Sequence, residues 1–290
     1  MADRELAGSW RTARRVFDLE KPLLMGVLNV TPDSFSDGGR FFGHDEALKR
    51  LEELRAEGAD IVDIGGESTR PGASPVSEEE ELRRVLPAIE AAVGRLELPV
   101  SIDTTKVGVA RSALDAGAEV INDISGLRFD GELAELAAAS GAGLVLMHSR
   151  GEPRTMQRDV HYDDLMGEIV KELGESIKRA LAAGCRTEQL VVDPGIGFGK
   201  TAEHNLAIIN ELGRVVELRY PVLIGPSRKS FIGKTLGLEV GERLEATIAA
   251  CVVALLRGAR LFRVHDVIEA RRALDMAEAI VRGSSGAGPD

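Results

Sequence analysis

The stretch LLMGVLNVTPDSFSDGG, residues 23–39, decides the fold. Its first half, Leu23 to Val30, is apolar with no polar alternation, the composition of a strand covered on both faces. Its second half turns to Thr, Pro, Asp, Ser and Gly, which neither bury themselves nor propagate a helix. A buried strand that runs straight into a polar, glycine-rich loop is one unit of an alternating α/β chain.

Seven further runs repeat that unit: DIVDIGG from Asp60, PVSIDT from Pro99, EVINDIS from Glu119, GLVLMHS from Gly143, QLVVDPG from Gln189, PVLIGPS from Pro221 and RLFRVHD from Arg260. Helix-period segments lie between them, such as HDEALKRLEELRAEGA and SEEEELRRVLPAIEAAVGRL. Several close at a glycine (Gly58, Gly117, Gly141, Gly184, Gly258), the residue that best adopts the left-handed cap of a helix. Eight βα units in 290 residues predict a (β/α)8 TIM barrel of the α/β class, with a doubly wound parallel sheet as the alternative. The expected organisation is an N-terminal extension over 1–20, a single barrel over 21–283 and a flexible tail over 284–290.

A net charge of −11 opposes broad binding to a phosphate backbone, so no nucleic acid partner is expected. A small anion in a focused basic cleft stays compatible with it. No apolar run approaches the roughly 18 residues of a membrane span. The N-terminus lacks the apolar core of a secretory signal, and no membrane association is expected. Cys185 and Cys251 read as thiols in a reduced, cytoplasmic setting.

In a barrel, chemistry gathers where strands end. Those ends are Asn29, GGESTRPG, Asp103, Asn122, Met147–His148, Asp193, GPSRKS and Arg263–His265. Asp103 alone reads equally well as an N-cap for the helix that follows it. Asp103, Asn122 and Asp193 together read as a polar site on one rim. Arg70, Arg263 and His265 add basic side chains to the same rim, beside the amide of Asn29.

Seven motifs, MGVLNVTPDSFSDGG, IGGESTRPGA, SIDTTK, INDISG, DPGIGFGK, GPSRKSFIG and RVHDV, resemble those of dihydropteroate synthases, in order from Leu23 to Val267. The resemblance implies a TIM barrel, Mg²⁺, a homodimer and a role in folate synthesis. The implied reaction condenses 6-hydroxymethyl-7,8-dihydropterin pyrophosphate with p-aminobenzoate, giving dihydropteroate and pyrophosphate. It implies a pterin site of Asp103, Asn122, Ile124, Met147, Asp193, Gly225 and Lys229. It implies a p-aminobenzoate slot of Thr69, Pro71, Phe198 and Lys229, with Arg228 and Ser230 at the carboxylate end. Asn29, Thr69, Arg70, Arg263 and His265 would take the diphosphate, with Asn29 on the metal. Asp33, Arg70, Lys229, Arg263 and His265 would be catalytic, Asp33 facing positive charge as the C–O bond ionises before the amine attacks. Sulfonamides, which mimic p-aminobenzoate, are expected ligands.

Two alternatives stay open: a methyltetrahydrofolate–corrinoid methyltransferase on the same barrel, which needs no diphosphate site, and a catalytically silent pterin-binding homologue. GFGKT at 197–201 resembles a P-loop, but Pro194 stands where that motif requires glycine. EEEELRR reads as a solvated helix face, and the histidines other than His265 read as structural or solvated. Pro226 and the Ser149–Arg150 stretch depart from the usual pattern and have no role assigned by sequence.

Overall fold

A computed structural model describes residues 8–31, 42–69, 72–151, 155–157 and 160–283. Two short antiparallel strands, β1 (Ser9–Arg11) and β2 (Val16–Asp18), precede eight parallel ones. These are β3 (Leu23–Asn29), β4 (Ile61–Gly65), β5 (Val100–Asp103), β6 (Val120–Asp123), β7 (Gly143–Met147), β8 (Leu190–Asp193), β9 (Leu223–Ile224) and β10 (Leu261–Val264). Each pairs with its chain neighbours, and β10 returns to β3. The ring closes where Val192 bridges Val222 and its N–H donates to the Pro221 carbonyl at 3.0 Å. The eight-unit barrel read from the sequence is therefore the observed fold.

Helices follow the strands in turn: α1 (Phe42–Ala56), α2 (Glu78–Gly94), α3 (Val107–Asp115), α4 (Glu132–Ser140), α5 (Leu165–Ala182), α6 (Ala202–Asn210), α7 (Gly213–Val216), α8 (Ser230–Leu236), α9 (Leu244–Leu256) and α10 (Val267–Arg282). Side-chain caps start α2, α5 and α6, where Ser77, Asp164 and Thr201 accept from the backbone N–H groups of Glu80, Gly167 and His204. None among the described residues is long and apolar enough to cross a membrane.

Strand periodicity sorts the core into two parts. Outward residues such as Val62, Ile64, Val100, Ile102, Leu144 and Phe262 pack with the helices. Inward residues Leu23, Met25, Ile61, Val120, Val145, Val191, Leu223 and Leu261 fill the lower barrel. The β1–β2 hairpin packs beneath that plug. Trp10 is fully buried there, and its Nε1 donates to the Gln189 carbonyl at 2.9 Å. A Cβ on Gly143 would stand 2.8 Å from the indole ring, so the first residue of β7 must be glycine for the floor to close. With the lower barrel sealed by apolar packing, the polar inward residues are confined to the upper half.

Candidate active site

Above the apolar plug, Arg263 on β10 reaches across the barrel. Its Nε donates to Asp63 Oδ2 at 2.6 Å, and a terminal nitrogen donates to Asp103 Oδ2 at 2.9 Å. Asn122 on β6 donates its amide N–H to the same Asp63 oxygen at 3.1 Å. Burial pushes the Asp103 carboxyl up to about 7; Arg263 opposes the shift, while Asp63, Glu81 and Asp123 add to it. Asp103 does not cap the next helix: α3 begins after Lys106, with no side-chain cap bond. That leaves Asp103 facing the rim.

Asp193 is 5 % exposed and accepts from the Gly195 N–H at 2.7 Å. Burial raises its carboxyl, and Lys229 opposes the rise. Burial also lowers the Lys229 ammonium to about 8, with Asp193 pulling the other way. Lys229 donates to the Ile196 carbonyl and lies 4.7 Å from the centre of the Phe198 ring. Gly225 lies beside Arg263 and Lys229: a Cβ there would sit at ordinary contact distance, 3.5 Å from Arg263 Cβ and 3.8 Å from Lys229 Nζ. Met147, the register partner of Asp193, and Ile124 are buried at the same end of the barrel.

His265 is paired with Ser227: the hydroxyl accepts from the His265 backbone N–H at 3.2 Å and lies 3.0 Å from Nδ1. A hydroxyl proton aimed at Nδ1 leaves the ring proton on Nε2. Burial, then the charges of Arg263 and Arg228, lower this imidazole to about 3. The sequence reading offered His265 as positive charge; burial and the two arginines favour its neutral form in the free protein. Arg228 gives its guanidinium to Asp266, with Nε–Oδ2 at 3.0 Å, and Ser230 opens α8 in solvent.

Asn29 ends β3 beside Gly65. The point where a Gly65 Cβ would sit is 3.7 Å from Asn29 Oδ1 and 3.6 Å from Asp103 Oδ2. Asp103 Oδ2 is taken by Arg263, so Asn29 Oδ1 is the neutral oxygen of this pair, a donor type that fits a hard cation taking its other ligands from phosphates and water. No group of three or more His, Cys, Asp or Glu poised for a metal occurs among the described residues. Thr69 is half-buried at the edge of the described chain. Asp33, Arg70 and Pro71 lie outside the described residues.

Sequence reasoning missed three residues. Asp63 is fully buried, one pleat below the rim. Its signal was a lone acid between Val62 and Ile64, at an inward position of an apolar strand. Lys200, the lysine of the P-loop look-alike, is 2 % exposed. It donates to the Phe198 carbonyl at 2.9 Å and the His148 carbonyl at 3.3 Å, and meets His148 Nδ1 at 2.9 Å. Those bonds tie the loop after β8 to the end of β7. The two run so close that a Gly195 Cβ would lie 1.8 Å from the His148 carbonyl oxygen. Glu81 corrects the reading of EEEELRR as a solvated face: it is 1 % exposed and accepts from Lys106 at 2.5 Å. Lys106 also holds Glu67, so this cluster anchors the loop that carries Thr69.

The unassigned stretches also find partners. Ser149 donates to the Ile124 carbonyl at 2.9 Å, and Arg150 bridges Glu168 and Glu172 over the Tyr162 ring. The Pro226 carbonyl accepts from the Lys229 N–H at 3.3 Å, so the proline starts the turn that presents Lys229.

A family model described as "Pterin binding enzyme" matches residues 25–265. The dihydropteroate synthase of Clostridium beijerinckii is 49% identical over 264 residues, covering 91% of this chain and 96% of that protein. The crystal structure of the Yersinia pestis dihydropteroate synthase, in complex with a sulfonamide drug, superposes with a TM-score of 0.89 at 42% identity, covering 95% of this chain and 100% of that one. That of Xanthomonas albilineans, with 4-aminobenzoic acid, gives a TM-score of 0.88 at 44% identity, covering 97% of this chain and 100% of that one.

Proposed function

The chain belongs to the pterin-binding dihydropteroate synthase family, and on that footing we propose that it condenses 6-hydroxymethyl-7,8-dihydropterin pyrophosphate with p-aminobenzoate in folate biosynthesis. One observation carries the reading: two buried carboxylates and an amide, Asp103, Asp193 and Asn122, converge on one end of the barrel with Lys229 and Arg263. Ionised carboxylates accept from the amino and ring N–H groups of a pterin edge, and a ring lacking those donors would leave them unpaired in a buried site. Lys229 supplies a donor to the ring carbonyl. Met147 and Ile124 pack against the heterocycle.

The diphosphate lies toward Asn29, Thr69, Arg70, Arg263 and His265. In the free protein Arg263 is held by two acids, and His265 is a neutral donor through Nε2. Asn29 would hold Mg²⁺, which would supply positive charge to neutralise the leaving diphosphate. The C–O bond beside an electron-rich pterin ionises first. Asp33 would stabilise the cation, and the segments 31–41 and 66–77 would shield it from water. The aromatic amine then attacks without a general base. Its ring lies along Phe198, Pro71 and the Lys229 stem, with its carboxylate toward Ser230 and Arg228. A sulfonamide occupies the same slot.

A second copy of the chain covers the face formed by α9 and α10. These helices pack side by side and leave Val253, Leu256, Met276, Ile280 and Val281 exposed by 42–68%. Apolar residues in such a row are the mark of an interface. Both cysteines are buried and unpaired, in keeping with a cytoplasmic setting.

Mixing the purified protein with both substrates and Mg²⁺ tests the reaction. Dihydropteroate forms, and a sulfonamide competes with p-aminobenzoate but not with the pterin. Pterin binding without product would place the chain among the silent homologues.

A further inference from the structure

Asp63 is the acid the proposed reaction leaves unused. It is fully buried, so it touches no substrate. Its Oδ2 nevertheless accepts from two residues placed at the two ends of the pterin substrate: Arg263 at 2.6 Å and Asn122 at 3.1 Å. Among the described residues its Oδ1 has no hydrogen-bond partner, and neither has the hydroxyl of its register neighbour Ser101. A buried carboxylate with an unused oxygen is a costly way to build a core, and an apolar residue would serve stability better. Its worth must lie in what it orients.

An ionised carboxylate accepts and never donates. Facing it, the Asn122 amide has one stable orientation, with the NH₂ toward Asp63 and the oxygen toward the cavity. The same carboxylate fixes Arg263 at Nε, so the guanidinium fork meets Asp103 with its terminal nitrogens. We infer that Asp63 is the positioning residue of the pterin site: it sets Asn122 to present an acceptor, and so selects ligands that donate at that edge, while it aims Arg263 at Asp103 and the rim. This inference rests on the proposed pterin reading and adds its specificity determinant.

The test substitutes Asp63→Asn, which keeps shape and removes the charge. An asparagine can donate to Asn122, so the Asn122 amide is free to turn its NH₂ to the ligand, and Arg263 loses one anchor. The KM for 6-hydroxymethyl-7,8-dihydropterin pyrophosphate is expected to rise roughly 10- to 100-fold, the range of one charge-assisted hydrogen bond. The KM for p-aminobenzoate should change less than about threefold, because its slot shares neither contact. A second readout is the acid limb of kcat/KM for the pterin. Asp103 faces Arg263, Asp63, Glu81, Asp123 and Lys229. Removing the Asp63 charge removes a like-charge neighbour, so the limb moves to lower pH. Ser101→Ala, at the same level of the barrel, moves neither readout. If Asp63→Asn does not fold, Asp63→Ser replaces it with the same expectations. Equal rises in both KM values with an unmoved pH limb would reduce Asp63 to a structural residue and overturn the inference, as would unchanged constants. Should the wild type not turn over, the reaction reading fails separately. The inference is then judged by calorimetric binding of the same pterin to wild type and variant, with equal affinities overturning it.

Discussion

Replacing Lys200 with methionine keeps an unbranched apolar stem as far as Cε and removes the ammonium. Three contacts vanish, to the Phe198 carbonyl, the His148 carbonyl and His148 Nδ1. Hydrogen bonds from a charged donor are worth about 1.5–3 kcal/mol each. Against that loss stands the cost of holding a cation in the interior, several kcal/mol for one ion. The two nearly cancel, so global stability should shift by no more than about 2 kcal/mol. The loop of 194–200 fares differently, because Lys200 is its tie to β7, and that loop carries Phe198 and the Ile196 carbonyl that holds Lys229. Losing about 1.4 kcal/mol of preorganisation there is tenfold in affinity. The variant is therefore predicted to raise the KM for p-aminobenzoate about tenfold. The KM for the pterin substrate should rise less, since Lys229 and Asp193 touch that loop but Asp103 and Asn122 keep all their contacts. Steady-state kinetics with each substrate varied in turn, alongside thermal melting, reads both quantities. An unchanged aminobenzoate KM, or an equal rise for both substrates, would refute the reasoning.

Trp10→Ala should cost about 3–5 kcal/mol in denaturant unfolding, the range for large aromatic truncation, while leaving both KM values near wild type, because the hairpin lies at the end of the barrel away from the site. Free-enzyme kcat/KM for the pterin should fall as pH drops through about 7, where burial places Asp103, rather than near the ordinary carboxylate range. In stability, the signs differ by group. His148 and His265 are lowered by burial to about 4 and about 3, so the unfolded chain takes up their protons first, and stability is lost as pH falls from about 6.5 through those values. Asp103, raised above its unfolded value, works the other way between about 4 and 7, and Asp103→Asn should steepen the acid loss in a pH series of melts. Val253→Glu combined with Ile280→Glu should convert a dimer to a monomer in sedimentation velocity.

The barrel was legible because its signal is repetitive: each inward and outward alternation and each glycine stop is local, and eight copies reinforce one another. Asp103, Asn122 and Asp193 were legible because the fold rule points to strand ends. Asp63 was not, since nothing local separates an acid one pleat below the rim from an accident in an apolar run. Its meaning comes from Arg263, 200 positions away. Lys200 was masked by its likeness to a phosphate loop, and Glu81 by three neighbouring glutamates that share its composition but not its burial. The charge state of His265 depends first on its burial, which only the folded barrel provides, and then on Arg263 and Arg228. The hairpin role of Trp10 was hidden for the same reason, because its partners Gly143 and Gln189 are far along the chain.

The most direct test is a single-turnover experiment with the pterin pyrophosphate and Mg²⁺, following pyrophosphate and dihydropteroate together, with and without p-aminobenzoate. With the amine, the two products should appear in equal amounts. Without it, bond ionisation ahead of attack should still release pyrophosphate, up to one per site. Pyrophosphate that appears only when the amine is present would contradict the order of steps, and no pyrophosphate in either case would contradict the activity itself.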